Sequence, residues 1–222
     1  MHPPNLPKVV MPNSSKVVMI DYGAGNLASV HHMVLRVGYD MVVSADPAVV
    51  EAADVVVFPG QGAFGEAMAA LNRTGLSDVL RRHLQAEKPY LGICLGLQLL
   101  FEGSEEAPGV PGLGVFPGQV KRFSMLPKAL KIPHMGWNAV EATNPNNPMF
   151  EGVDQGYFYF VHSYYVPELS DSLMAATTTY GHRFTSAIQT ESVLAVQFHP
   201  EKSSDNGHRL LTSFFNHSLG RI

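Results

Sequence analysis

The sequence is poor in the features that mark several large classes of protein. It has one cysteine among 222 residues, which excludes an internal disulfide framework and suits a reducing compartment. Charged residues make up 15% and the net charge is −4, so the charge gives no reason to expect binding to nucleic acid or an anionic membrane. No apolar run approaches the roughly 20 residues that span a bilayer. We therefore expect a cytoplasmic protein.

The first 15 residues are rich in proline, asparagine and serine and lack the apolar core of a signal peptide. We predict a flexible N-terminal extension over residues 1–15 and one domain over 16–222, a length that supports a substantial core. No cofactor and no metal site is expected. The adjacent His31 and His32 do not form a metal motif, and no His-Glu-x-x-His occurs.

Strands alternate with helices in the first half of the chain, which predicts a parallel sheet with helices on both faces. The predicted strands are 16–20, 41–44, 54–58 and 89–93, and the predicted helices are 27–37, 47–53, 64–72, 76–87 and 95–102. Later strands, at 119–123, 137–141, 157–165, 174–179, 187–189 and 194–198, predict an antiparallel extension of that sheet. A helix over 206–218 ends the chain. The expected fold is a single α/β domain of flavodoxin-like type, mostly parallel.

The single cysteine, Cys94, lies where a nucleophile would. It follows a short apolar strand, has Gly92 and Gly96 close by, and precedes a predicted helix. This is the strand-turn-helix pattern of a nucleophile elbow, with sulfur in place of a hydroxyl. A helix N-terminus also favours the thiolate. Cysteine is equally a common core residue, so this segment alone leaves both interpretations open.

A nucleophilic cysteine needs a base, and the base needs an orienting partner. The best candidates are His199 and Glu201, which are separated by Pro200 and directly follow a predicted strand. The carboxylate would hold the imidazole, and the imidazole would move protons. The alternative is a loop histidine beside a surface glutamate.

Acyl chemistry also needs donors for an oxyanion. Gly60, Gln61 and Gly62 follow the third predicted strand and offer backbone N–H groups, and the N–H of Leu95 is a natural second donor. The alternative is a simple turn, since Pro-Gly is a common turn signal.

A rival interpretation starts from residues 23–28, which loosely fit a dinucleotide-binding fingerprint, with Asp46 about 20 residues further on. Glycine turns after a first strand occur in many α/β folds. The cysteine, the His-x-Glu pair and the second glycine turn have no role in hydride transfer, so this oxidoreductase hypothesis is the weaker one.

Three segments together resemble the class I, triad-type glutamine amidotransferases: 59–64 (PGQGAF), 92–98 (GICLGLQ) and 197–203 (QFHPEKS). Their order and spacing match, and the resemblance extends from about residue 17 to the C-terminus. Segments 21–27 (DYGAGNL) and 131–138 (KIPHMGWN) are similar to the glutaminase subunits of imidazole glycerol phosphate synthase, an enzyme of histidine biosynthesis.

The resemblance implies that Cys94 attacks the side-chain amide of glutamine, with His199 as acid and base and Glu201 as its partner. It implies that backbone N–H groups around Gln61, Gly62 and Leu95 hold the oxyanion. It further implies that Gln98, Ser163 and Tyr164 hold the backbone end of the glutamine.

The resemblance also implies a (β/α)₈-barrel cyclase subunit as the partner in a heterodimer. Ammonia would pass to it without release to solvent, for the synthesis of imidazole glycerol phosphate and an aminoimidazole carboxamide ribotide. Met135, Trp137, Asn138 and Lys202 match family positions near that interface. The glutaminases of this family are weak until the partner is bound and loaded. The barrel is expected to be a separate chain.

One residue departs from the family pattern, since Gln61 stands where a small apolar residue is usual. It could alter how readily its peptide rotates into the active orientation. The nearest rival within the class is the glutaminase of pyridoxal phosphate synthase, against which residues 131–138 argue. The triad also serves anthranilate, GMP and carbamoyl phosphate synthesis, so the triad alone does not identify the pathway. Outside the class, a cysteine hydrolase of related fold would not be expected to carry Gln98 together with His199 and Glu201. A non-enzymatic binding module could keep the fold but lose the triad, and here all three members are present.

Overall fold

The structure is a computed structural model that describes residues 16–23, 27–124, 126–144, 147, 150, 156–170 and 172–220. The predicted N-terminal extension, residues 1–15, lies outside the described residues. So does the middle of the glycine segment that suggested dinucleotide binding, residues 24–26. The boundaries predicted for the domain therefore stay a prediction.

A nine-stranded sheet forms the centre of the described part of the chain. Its parallel half has the order β2, β1, β3, β4, β12, and these strands are β1 (Val17–Ile20), β2 (Val42–Ser44), β3 (Val55–Phe58), β4 (Tyr90–Ile93) and β12 (Val193–Val196). This is the flavodoxin-like strand order, in which ligands bind beyond the carboxyl ends of the strands. The predicted fold class is confirmed.

The antiparallel half of the sheet continues from β12. In order, its strands are β11 (His182–Gln189), β10 (Met174–Tyr180), β7 (His134–Ala142) and β8 (Gly156–His162). The last of these, β8, is an edge strand within the described residues. The predicted antiparallel extension is therefore present.

Six α-helices are described: α1 (Leu27–Arg36), α2 (Pro47–Glu51), α3 (Phe64–Thr74), α4 (Leu76–Gln85), α5 (Leu95–Gln98) and α6 (Ser204–Ser218). Two apolar clusters lie on opposite faces of the sheet. Alternate residues of β1 divide between them, with Val17 and Met19 in one cluster and Val18 and Ile20 in the other. Because both faces are covered, the parallel strands read as continuous apolar runs in the sequence. No helix in the described ranges is long and apolar enough to cross a membrane.

The helix predicted over 95–102 is wrong beyond Gln98. The chain leaves the helix after one turn and forms β5 (Phe101–Ser104), which pairs with β6 (Phe116–Arg122). The carbonyl groups of Leu99 and Leu100 accept hydrogen bonds from residues 113–116, where a longer helix would have used its own N–H groups. Tertiary pairing of fully buried residues thus overrides local helical preference.

Two strands predicted for the antiparallel extension lie elsewhere. The strand predicted at 119–123 is part of β6, which joins a separate three-stranded sheet with β5 and β9 (Tyr164–Tyr165). The strand predicted at 194–198 corresponds to β12, which pairs in parallel with β4 and antiparallel with β11. The parallel pairing is a long-range contact that apolar periodicity does not encode.

Gly207 lies where α6 packs closely against the turn that follows β12, and a substitution there tests this packing. A Cβ atom on Gly207 would lie 1.9 Å from the carbonyl oxygen of Pro200. We expect Gly207→Ala to lower the free energy of unfolding by about 1–3 kcal/mol, because backbone must move to admit the methyl group. Urea denaturation measures this. Ser213→Ala, in the same helix, should change it by less than about 0.5 kcal/mol; equal effects would contradict the packing argument.

Candidate active site

Cys94 lies at the sharp turn between β4 and α5. Its backbone has φ 47° and ψ −94°, a conformation that non-glycine residues rarely adopt. Strained residues of this kind cluster at functional sites, and the geometry is that of a nucleophile elbow. The turn is possible because Gly60 has no side chain: a Cβ there would lie 2.9 Å from the Cβ of Cys94. The helix that follows has only one turn, so its dipole is weaker than the sequence suggested.

His199 lies near Cys94 because it follows β12, the strand that pairs in parallel with β4. Its Nδ1 lies 2.8 Å from Oε1 of Glu201, and both side chains are almost fully buried. Its Nε2 is buried and has no well-aligned hydrogen bond to any residue that the structure describes. One ring nitrogen is therefore held by a carboxylate, while the other is free to exchange a proton with a group in the site.

The charge of His199 depends on its neighbours. Burial alone would lower the pKa of His199, but the charge of the neighbouring Cys94 and then the carboxylate of Glu201, which is hydrogen-bonded to Nδ1, raise the pKa from 6.5 to about 10. The imidazole is thus a cation beside the sulfur at neutral pH. A cationic imidazole beside a cysteine sulfur is an arrangement that favours the thiolate.

Backbone hydrogen bonds fix the position of the His199 turn, a 3₁₀ turn over Pro200–Lys202. The N–H of His199 donates to the carbonyl of Tyr159 on β8, at 2.8 Å. Ser203 Oγ donates to the carbonyl of His199 at 2.6 Å and accepts from the N–H of Tyr159 at 3.0 Å. The base is therefore attached to the edge strand of the sheet.

The turn Gly60–Gln61–Gly62 lies at the carboxyl end of β3, against Cys94. The ring of Tyr22 stacks on Phe58 at 5.0 Å, and its hydroxyl approaches Gly62, where a Cβ would lie 3.4 Å from it. Burial and the neighbouring Cys94 raise the pKa of Tyr22, which therefore stays a neutral phenol. The N–H of Leu95, the first residue of α5, has no partner within its own helix. That these backbone groups bind an oxyanion stays a prediction.

These residues line one cavity of about 450 Å³. All of the predicted nucleophile, base, oxyanion and substrate residues except Glu201 line it: Gly60, Gln61, Gly62, Cys94, Leu95, Gln98, Ser163, Tyr164 and His199. Glu201 lies behind His199. Pro133, in the segment 131–138, also lines the cavity, and four further lining residues were not singled out from the sequence: Glu106, Tyr159, Val161 and His162. Glu106 follows β5, and its Oε2 accepts a hydrogen bond from the N–H of Phe64, at the start of α3, at 2.8 Å.

Gln98 makes two hydrogen bonds that the sequence does not indicate. Its Nε2 donates to the carbonyl of Tyr164 at 3.0 Å and to Oε1 of Gln197 at 3.1 Å. Both amide protons are used, so Gln98 offers its carbonyl oxygen to other partners. The same Tyr164 carbonyl accepts from His162 Nδ1 at 2.7 Å, and burial lowers the pKa of His162 to about 3.

The residues predicted for a partner interface lie in three different surroundings. Met135 and Trp137 project from β7 on the side of the cavity wall and are 65% and 52% exposed, next to Tyr157 at 60%. Lys202 lies over the ring of Tyr159 at the cavity, 5.8 Å from its centroid. Asn138 lies on the opposite face of β7 from Met135 and Trp137. Its amide nitrogen is within hydrogen-bond distance of His134 Nε2 and donates to the carbonyl of Thr179. Its role at an interface stays a prediction.

Asp46, the acidic residue on which the dinucleotide-binding hypothesis relied, has a structural role. The carboxylate of Asp46 accepts a hydrogen bond from the N–H of Ala48 at 2.8 Å and caps α2. Such a cap satisfies one of the free N–H groups at the start of a helix. The spacing that suggested ribose binding is therefore explained by helix capping.

Comparisons with known proteins agree with this arrangement. The family "Glutamine amidotransferase class-I" matches residues 18–218, so the chain belongs to the class-I glutamine amidotransferases. A crystal structure of a glutamine amidotransferase superposes with a TM-score of 0.71 at 19% identity, covering 90% of this chain and 98% of that one. This second likeness shows the fold.

Relatives with higher sequence identity identify a narrower family within this class. The chain is 48% identical over 203 residues to "Imidazole glycerol phosphate synthase subunit HisH" of Syntrophotalea carbinolica, covering 89% of this chain and 98% of the relative. It is 49% identical over 211 residues to the protein of the same name from Aromatoleum aromaticum, covering 91% and 98%. The chain belongs to this HisH family, and the predicted family is confirmed.

The raised pKa of His199 gives a direct test of the charge at the site. In Cys94→Ala the sulfur charge is lost while the burial that opposes protonation remains, so we expect the pKa of His199 to fall well below 10. Nuclear magnetic resonance titration of the imidazole measures it.

In the native protein the charged imidazole contributes stability below pH 6.5 that is lost as the pH rises through about 10. That loss should be smaller in Cys94→Ala. A His199 pKa that stays near 10 without the sulfur would contradict the assigned cause. Cys94→Ser serves as the control of similar size.

Proposed function

We propose that this chain hydrolyses glutamine to glutamate and ammonia through a thioester on Cys94. The observation that carries the proposal is that Cys94 and His199 line one cavity and that Glu201 lies behind His199, bonded to its Nδ1. A strained elbow cysteine, a buried cationic imidazole and a carboxylate on its far nitrogen are the parts of a nucleophilic triad. Family membership gives the same reaction class.

In the first half of the reaction, the Cys94 thiolate attacks the side-chain carbonyl carbon of glutamine. Negative charge develops on the carbonyl oxygen, and N–H groups of the Gly60–Gly62 turn and Leu95 are the donors available to it. His199 gives its Nε2 proton to the departing nitrogen, so that ammonia leaves and the thioester forms.

In the second half, His199 accepts a proton from water as the water attacks the thioester. The carbon–sulfur bond then breaks, and glutamate and the thiolate are released with the imidazole protonated again. Glu201 holds Nδ1 throughout, so Nε2 stays directed at the reacting atoms.

The cavity also offers groups for the backbone end of the substrate. Gln98 presents a carbonyl oxygen, because both of its amide protons are already bonded. Glu106 also lines the wall, and its carboxylate already accepts one hydrogen bond, from the N–H of Phe64 to Oε2. An acceptor and a carboxylate suit the ammonium group of an amino acid. Ser163 and Tyr164 complete this side of the cavity, and we propose that they position the substrate backbone.

The relatives are named as subunits of a synthase, which supports a partner for this chain as well. We propose that the partner is the (β/α)₈-barrel cyclase of imidazole glycerol phosphate synthase, in a cytoplasmic heterodimer, and that it receives the ammonia. The exposed side chains of Met135, Trp137 and Tyr157 form an apolar surface on the edge of the sheet. Exposed aromatic residues and methionine are enriched at protein interfaces.

The Cys94→Ala variant tests the reaction in the complex with the cyclase. We expect glutamine-dependent synthesis to be lost, and ammonia-dependent synthesis by the partner to continue, because only the source of ammonia is removed. Both rates are measured on the same complex with the nucleotide substrate. Loss of both activities would mean that Cys94 is structural.

A glutamine-analogue electrophile tests the nucleophile directly. We expect a mass increase on a peptide containing Cys94 in the wild-type complex and none in Cys94→Ala. Labelling at another residue, or no labelling with the loaded partner present, would refute the assignment.

The apolar surface can be tested by Trp137→Ala. We expect the dissociation constant for the cyclase to rise about tenfold or more, because a large aromatic anchor loses its contact. Val42→Ala is the matched control, since Val42 is 56% exposed on β2, at the opposite edge of the sheet. Isothermal titration measures both. Similar affinities for the two variants would place the interface elsewhere.

A further inference from the structure

Gln197 occupies a position between the substrate cavity and the nucleophile. It follows β12, is fully buried, and contacts both Gln98 and Cys94. Its backbone N–H donates to the carbonyl of Ser186 on β11 at 2.8 Å, which fixes the main chain at this point. The reaction described above gives this side chain no part.

The orientation of the Gln197 amide follows from its neighbours. A backbone carbonyl can only accept, so the carbonyl of Tyr164 requires the nitrogen of Gln98 beside it, at 3.0 Å. That nitrogen is a donor, so the atom of Gln197 that faces it at 3.1 Å is the oxygen. The remaining amide nitrogen of Gln197 therefore lies 3.4 Å from Cys94 Sγ and donates to it.

A donor at this position affects the sulfur. A hydrogen bond to an ionised acceptor is stronger than one to a neutral acceptor, so an N–H directed at Sγ favours the thiolate over the thiol. It also restricts where the sulfur lies, which matters because the attacking atom must be held close to the substrate carbon.

We propose that Gln197 holds the sulfur of Cys94 as a hydrogen-bonded thiolate, with its amide oriented by Gln98. The proposal rests on the function proposed above. Gln197 would thus stabilise the thiolate together with His199 and the backbone geometry of the elbow. It also connects the cavity wall to the nucleophile, because the side chain that orients Gln197 is one that lines the substrate cavity.

Titratable groups close to the sulfur also influence its ionisation. His199 faces it from the turn after β12, with Glu201 behind, and Tyr22 faces it from the segment after β1. His162 on β8 acts on His199. All four remain in place when Gln197 is changed, so a change in the ionisation of the sulfur reports on the lost amide.

The experiment measures alkylation of Cys94 by iodoacetamide as a function of pH. In Gln197→Met the side chain keeps its length and loses its donor. We expect the midpoint of the rate profile to move upward by about one pH unit, with the same plateau rate at alkaline pH, where every thiol is ionised. The isosteric Gln197→Glu keeps an acceptor for Gln98, but its carboxylate has no donor for the sulfur and adds a negative charge beside it, so the midpoint should move upward further than in Gln197→Met.

Ser186→Ala is the matched control. Ser186 lies on β11, and its carbonyl accepts the backbone hydrogen bond from Gln197. Its hydroxyl is buried and has no hydrogen-bond partner in the described residues, so the midpoint should not move. Circular dichroism selects the variants that fold.

An unchanged midpoint in a folded Gln197 variant would overturn the proposal, and so would an equal loss of rate at every pH, which indicates altered access. Labelling of the wild-type complex by the glutamine analogue separates the two hypotheses. Normal labelling with an unchanged midpoint refutes the role of Gln197 alone, whereas absent labelling of Cys94 refutes the proposed function.

Discussion

The parallel pairing of β4 with β12 is the constraint on which the site depends. Val196 lies opposite Ile93 in this register, and the N–H of Cys94 donates to the carbonyl of Val196 at 2.7 Å. Two strands that are far apart in the chain therefore end side by side. Parallel strands present their carboxyl ends at one edge of a sheet, and so the nucleophile and the His199 turn meet there.

The site combines strong burial with opposing charges. Burial alone would leave His199 neutral, as it does His162, whose pKa falls to about 3. The difference lies in the neighbours: Cys94 and Glu201 flank His199, whereas a backbone carbonyl and another imidazole flank His162. Two buried histidines a short distance apart thus have opposite protonation states, and only one is prepared for proton transfer.

The antiparallel half of the sheet gives the site its connection to the surface. Its edge strand β8 bonds the backbone of His199, and β7 beside it carries the exposed side chains of Met135 and Trp137. A partner that binds this edge would contact the same strands that hold the base. The geometry accordingly offers a short structural route from the proposed interface to the triad.

The sequence by itself determined the alternating α/β pattern, and it predicted the elbow at Cys94 and the local pairing of His199 with Glu201, because each depends on residues close together in the chain. Only the tertiary structure decided that residues after Gln98 form a strand, that β12 joins the parallel half of the sheet, and that Gln197 lies against the sulfur. These features depend on long-range backbone pairing and on the orientation of buried amides. Neither is encoded in the periodicity of a single segment, since the partner that satisfies each hydrogen bond lies far away in the chain.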